Sequence, residues 1–280
     1  MIKPVTLLCK QKELACAYPA AQAVMSSAFP VIGLHSLPVE LLYEVQLHAL
    51  SESLPHISHH FYGVYKHASP FFHAKYILGR VLEQDELAFA EVYTKALRYP
   101  ICNEKVLRAI HSLLKEEVPQ RKVSIQLPRR LFRSLSPPTS GWTIKDHPIP
   151  LLQFLYQTPD IPAVNTNAND GYALTRAVHA KFLPLVKFLL EHHASPRCHD
   201  GLAVKVAIRQ KDLGMVKTLV ERPDSKHGKG SKRRKFEDRI TLDSTMLKVA
   251  VMSDAKDIVE YLYKEKRVTP DLQTLKKLNF

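Results

Sequence analysis

Glycine is scarce in this sequence, with nine in 280 residues, and none falls in a pattern that carries chemistry. There is no GxSxG turn for a nucleophile, and GKGS at Gly228 to Ser231 lacks both a preceding strand and the Gly-Lys-Ser/Thr order of a phosphate loop. Cysteine is thin as well. Cys9, Cys16, Cys102 and Cys198 are scattered, with neither the density of a disulfide scaffold nor a CxxC pair for zinc; they read as reduced packing residues and suggest an intracellular setting. Long apolar runs are missing: Lys, Arg, Glu or His interrupts every stretch before the roughly eighteen residues that a membrane span needs. The opening MIKPVTLLCKQKELACAYPAAQAVM carries Lys10, Lys12 and Glu13 inside its apolar stretch and no arginine, which speaks against a secretory signal or transit peptide. Residues 1–34 are read as an ordinary leader, partly disordered or forming a short docking helix.

Histidine clusters are present, at His56 to His60 (HISHH) and His192 to Asp200 (HHASPRCHD). The first falls where a helix is expected and the second on a loop without matching ligands elsewhere, so no metal is assigned. No nucleophile, base and orienting group can be argued together. The expectation is a protein that is not an enzyme and has no cofactor.

Positive charge is abundant and uneven. The formal net charge is +13. Residues 226–239, KHGKGSKRRKFEDR, hold seven Lys or Arg against two acids, and residues 121–133, RKVSIQLPRRLFR, hold five with no acid, a net +5 each. The compact Lys232, Arg233, Arg234 and Lys235 follow Gly228, Gly230 and Ser231, so an accessible loop is expected; it reads as an import signal, a patch for anionic surfaces, or a solvated loop. No helix-turn-helix, zinc finger or aromatic single-strand motif accompanies the charge, and specific nucleic-acid binding is not expected.

The strongest pattern is a frame of apolar positions that occurs three times. Leu174, Val204 and Leu247 open it; Ala177, Ala207 and Ala250 follow, each succeeded by Val178, Ile208 or Val251. Further on come Leu185, Met215 and Ile258, then Val186, Val216 and Val259, then Leu189, Leu219 and Leu262, and last Leu190, Val220 and Tyr263. Spacings of i, i+3 and i+4 line one face of a helix, and two such groups around a short polar stretch describe an antiparallel helix pair. The alanines let the two helices approach closely. One pair cannot bury both faces, so pairs must stack.

Asp170-Gly171, Leu174, Ala177, Val178, then LVKFLLE at Leu185 to Glu191 and Ala194, resemble the ankyrin repeat, and KDIVEYLYKE at Lys256 to Glu265 is similar to its second helix. The resemblance implies a short solenoid that presents a concave face to a protein partner. TPLH is absent, His193 stands where a glycine ends the second helix, and the first period is 30 residues against the usual 33 or so. The second period, Ala207 to Ala250, is 43, and its surplus matches a basic loop insertion at 222–240. PLLQFLYQ, with Leu151, Leu152, Leu155 and Tyr156 in register, reads as a degenerate first repeat or a cap, because Pro148 and Pro150 break the helix that would precede it.

Upstream, LPVELLYEVQLHALSESLPHISHHFYGVYKH starts with Pro38 at a helix start and carries Leu41, Leu42, Val45 and Ala49 along one expected face. It resembles the F-box, a three-helix motif, although Val64-Tyr65-Lys66 only approximates the usual Val-Cys-Arg step. The resemblance implies docking of Leu37, Pro38, Leu41 and Leu42 on a Skp-type adaptor of a ubiquitin ligase. Two helices follow, Glu86 to Leu97 and one capped by Asn103, separated by Pro100. The order of segments is also similar to that of uncharacterised fungal proteins, a likeness that implies no activity.

The expected fold is therefore all-α: a leader (1–34), an F-box-like helical segment (35–80), a helical hairpin and basic segment (81–133), a linker (134–149) and ankyrin-like repeats (150–280). Thr175, Arg176, His179, Lys205, Arg209 and Lys248 are the expected exposed positions of the first helices, mostly basic, so an acidic protein surface is the expected partner. Two functions stand: a non-enzymatic interaction module that recruits substrates to a ubiquitin ligase, or a nuclear regulator or scaffold using the basic segments. The expected location is nuclear or cytoplasmic.

Overall fold

The structure, a computed structural model, describes residues 33–82, 87–114, 123–136, 141–222 and 238–278. It is all-α, with 64% helix and 2% strand. Two units are distinguished, Met1–Pro38 and Val39–Phe280. Within the described part of the first lies one 3₁₀ turn, Leu34–Ser36, closed by the Ser36 hydroxyl donating to the Gly33 carbonyl at 2.7 Å.

The second unit begins with α1 (Val39–Ala49), α2 (His59–Lys66) and α3 (Pro70–Leu82). In α1 the face read from the sequence needs correction: Leu42 and Gln46 are buried, whereas Leu41 and Ala49 are exposed. The helix turns its 42/46 side inward, burying Leu42 completely, and the Gln46 amide Nε2 donates to the Ser51 carbonyl at 2.7 Å, closing the turn after the helix. Ser58 caps α2 by accepting from the Phe61 amide, and Ser69 accepts likewise from Phe72. Ser69-Pro70 is a helix start legible in the sequence, since the hydroxyl takes an orphan N–H and proline needs no donor at the first helical position. The α3 helix it opens buries seven side chains, His73 among them.

Next come α4 (Phe89–Ala96) and α5 (Glu104–Leu114). Asn103 accepts from the Val106 amide at 3.0 Å, and Val106, Leu107, Ile110 and Leu114 are buried along one side, as their spacing requires.

The segment from residue 123, read as basic, is largely core. Ile125, Leu127, Leu131 and Phe132 are buried. Strand β1 (Ile125–Gln126) pairs in parallel with β2 (Val164–Asn165), Ile125 opposite Val164. Between them lie α6 (Arg130–Arg133), a single turn, and α7 (Ile149–Gln157). The half-buried Arg130 guanidinium donates to the Leu97 carbonyl at 3.2 Å, and exposed Arg129 lies 5.4 Å from the Tyr172 ring, so both charges are held against the fold.

Three helix pairs complete the chain: α8 (Ala168–His179) with α9 (Leu183–Glu191), α10 (Cys198–Arg209) with α11 (Leu213–Val220), and α12 (Ser244–Met252) with α13 (Lys256–Glu260), the last continuing as a π-turn, Tyr261–Glu265. Helix α14 (Leu272–Leu278) follows. First helices α8, α10 and α12 pack side by side, as do second helices α9, α11 and α13; α6 packs on α8 and α14 on α12, closing the ends of the first-helix row. Ala177, Ala207 and Ala250 are each fully buried. The third pair departs from the frame. Its π-turn rotates Tyr261 inward and leaves Tyr263 38% exposed, where the spacing had placed Tyr263 in the seam.

Each first helix ends in the same way. The amides of Phe182, Asp212 and Ala255 donate to the carbonyls of Ala177, Ala207 and Ala250, and the residues before them, Lys181, Lys211 and Asp254, have φ of 53°, 56° and 50°. This is the Schellman termination, whose left-handed position favours glycine because a Cβ there crowds the backbone. His193 takes that position after α9, at φ 63°. Lys181 and Lys211 are exposed. Replacing either with glycine should therefore stabilise the fold by about 0.5–1 kcal/mol, read as a raised denaturant midpoint with an unchanged slope.

Candidate partner-binding surface

Among the described residues, the first-helix row has α6 and α14 at its ends and the second helices behind it, and the six side chains singled out from the sequence all lie on its helices. Packing divides them. Arg176 reaches back to the end of α6, its Nη2 donating to the Arg133 carbonyl at 2.9 Å and its Nε to that of Phe132 at 3.4 Å. It thus satisfies carbonyls that a helix end leaves without partners. Lys248 does comparable work at the other end: its Nζ donates to Gln273 Oε1 at 2.9 Å and lies 3.9 Å from the Asp271 carboxylate, tying α12 to α14. His179 is exposed, 3.4 Å from Arg176, and its carbonyl accepts from Gln210 Nε2 at 2.8 Å, which links neighbouring pairs.

Thr175, Lys205 and Arg209 remain, half-buried, half-buried and exposed in turn, with no described partner for the two cations. The same frame positions bring Val206, Val249 and Met252 onto this row, and Met252 is 66% exposed. These apolar neighbours were not singled out from the sequence, although aligning the repeats would have found them. The surface that results is two open cations among apolar side chains, bounded by two basic residues committed to its caps.

The loops between pairs are held by side chains. Asn167 Oδ1 accepts from the Ser195 amide at 2.7 Å, and Thr166 Oγ1 donates to the His192 carbonyl at 2.9 Å. His192 itself lies against the Tyr156 ring, centroids 3.9 Å apart, with Phe188 at 4.4 Å. Burial there pushes its imidazole below the usual 6.5 and pushes the Tyr156 phenol up to about 12. Loss of water also lowers His147, helped by Arg130. Both histidines bind protons more readily when unfolded. Stability is therefore full above the unfolded pKa and falls as pH drops through the lower folded values. The thermal midpoint should decline from about pH 7 to about pH 5, and His192→Phe, which keeps the stack and removes one titration, should flatten that decline.

The basic insertion is clamped where it meets the fold. Lys266 Nζ lies 2.8 Å from Asp238 and 3.6 Å from Glu221, Tyr261 donates to Glu221 at 2.9 Å, and the Arg239 amide donates to the Val220 carbonyl at 2.8 Å. Lys232, Arg233, Arg234 and Lys235 lie outside the described residues, as do Cys9, Cys16 and most of 1–34. Of the adaptor-facing candidates, Leu37 is half-buried and Pro38 exposed in the first unit; in the second, Leu41 is 44% exposed and Leu42 is buried completely. Cys102 is buried and its thiol pushed up to about 12 by loss of water, which suits a packing residue. Among the described residues no three His, Cys, Asp or Glu stand together to hold a metal ion, and no helix is long and apolar enough to cross a membrane.

No family model, no curated protein and no solved structure matches the chain.

Proposed function

We propose that the protein is a non-enzymatic interaction module whose first-helix row holds an acidic protein partner, and that its LPVELL segment docks on a Skp-type adaptor, making it a substrate-recruiting subunit of a ubiquitin ligase. The observation that carries the first part is the contrast along the row: Arg176 and Lys248 serve its caps, whereas Lys205 and Arg209 stand open beside Val206, Val249 and Met252. Cations with apolar neighbours give both steering toward an acidic surface and area to bury. The ankyrin-like frame supports the reading, since stacked helix pairs are extended binding scaffolds. Leu41 supports the adaptor reading, being a large apolar side chain left at the surface of α1.

The test is affinity capture with the full chain as bait. Lys205→Glu with Arg209→Glu should lose the captured partner while leaving the unfolding midpoint unchanged, and Leu41→Asp should separately lose a purified Skp-type adaptor. Leu42→Asp is unsuited, because a charge in that buried site destabilises the fold itself. Retention of both ligands by these variants would overturn the proposal. The second reading, nuclear import, rests on the clamp at Glu221, Asp238 and Lys266, which brings the two ends of the insertion together. A fluorescent fusion with Lys232 to Lys235 changed to alanine should leave the nucleus; an unchanged distribution removes that role.

A further inference from the structure

The front helices line an open cavity of about 950 Å³ between α1, α2, α3 and the turn joining α4 to α5. This volume lies within the roughly 300–1,000 Å³ of pockets that take small ligands.

Its floor is aromatic and internally satisfied. Tyr65, Phe72 and Tyr76 are buried, and the two hydroxyls donate inward, Tyr65 to the Leu42 carbonyl at 2.9 Å and Tyr76 to that of Ser51 at 3.1 Å. What these residues present to the cavity is therefore ring surface. Tyr62, 46% exposed, and half-buried Tyr99 extend that surface to the mouth.

Gln46, 2% exposed, closes the floor, with its Nε2 committed to the Ser51 carbonyl at 2.7 Å. Among the described residues that line the cavity, Lys66, Arg80, Lys95 and Arg98 carry positive charge, and the one acid, Glu52, is paired with Arg80. Lys66 lies 5.4 Å from the Tyr62 ring and Arg98 is exposed.

We propose that this cavity binds a small anion with a flat aromatic body: its rings stack on the tyrosines and its charge meets Lys66 and Arg98. This site is separate from the first-helix row, and neither depends on the other.

The experiment uses the full chain and two dyes that share a body, anilinonaphthalene sulfonate, which has the anion and one N–H, and phenylnaphthylamine, which lacks the anion. One equivalent of the sulfonate should bind with enhanced, blue-shifted emission, and at least about tenfold more tightly than the neutral dye. Lys66→Glu with Arg98→Glu, both at the surface, should weaken the sulfonate about tenfold and leave the neutral dye unchanged. The charge-matched control Lys187→Glu with Lys256→Glu should change neither, which separates a local site from the general attraction of a basic protein. Equal affinity for the two dyes, sulfonate binding that survives the Lys66 and Arg98 reversals, or equal loss in the control pair would overturn the proposal.

Discussion

Phe182→Ala should lower the stability of the protein by about 3–5 kcal/mol, the range for removing a fully buried aromatic ring. Phe182 is completely buried at the turn between α8 and α9, where its amide closes the Schellman termination on Ala177. The Trp142 ring stacks on it at 4.0 Å and 11°, while the indole N–H donates to the Ala180 carbonyl at 2.9 Å. The substitution therefore empties a site that two elements share. Trp142 is the one tryptophan of the chain, so its emission reports on that site alone. It should shift to the red in Phe182→Ala even under native conditions, because one face of the indole gains water. Denaturant unfolding followed by both emission and far-ultraviolet circular dichroism checks the prediction; a loss under about 1 kcal/mol with unshifted emission would contradict it.

Gly171→Ala should cost about 2–4 kcal/mol, adding a left-handed backbone penalty to overpacking. Asn169, Asp170 and Gly171 form a left-handed turn, with φ of 55°, 59° and 71°. A Cβ on Gly171 would lie 2.6 Å from the Cβ of Cys198, the start of the next helix pair, and a Cβ cannot swing aside. His199, Asp200 and Gly201 repeat the turn one period later, but there the nearest atom is the Cε of Met246 at 2.4 Å, the end of a flexible side chain. Gly201→Ala should cost only about half as much, because methionine can repack. Cys198→Ala should not rescue Gly171→Ala, since it keeps the offending Cβ. Equal midpoints for the two alanine variants would show that backbone conformation alone sets the requirement.

Asp-Gly stands in the sequence at 170–171 and again at 200–201, in the first two of the three pairs. Its reason is not legible there, because the atom that forbids a side chain at 171 belongs to a residue in the next pair. Arg176 shows the same limit. As a basic residue on a helix read as facing solvent, it was placed on the binding surface, yet its guanidinium caps carbonyls 43 and 44 positions earlier. The cavity behind α1 was equally hidden. Gln46 interrupts the apolar face there, and only the positions of Ser51 and Tyr76 reveal what its amide holds.

Local spacing was enough to establish that the chain is helical, that a frame of apolar positions recurs three times, and which small residues that frame carries. Those properties depend on neighbours three and four residues apart, and a helix brings such neighbours onto one face wherever it occurs. Which cations stay open, which tyrosine of the last pair enters the core, and which glycine tolerates no methyl group were settled by contacts between segments far apart in the chain. Such contacts follow from how whole elements dock, and no periodicity along the chain records them.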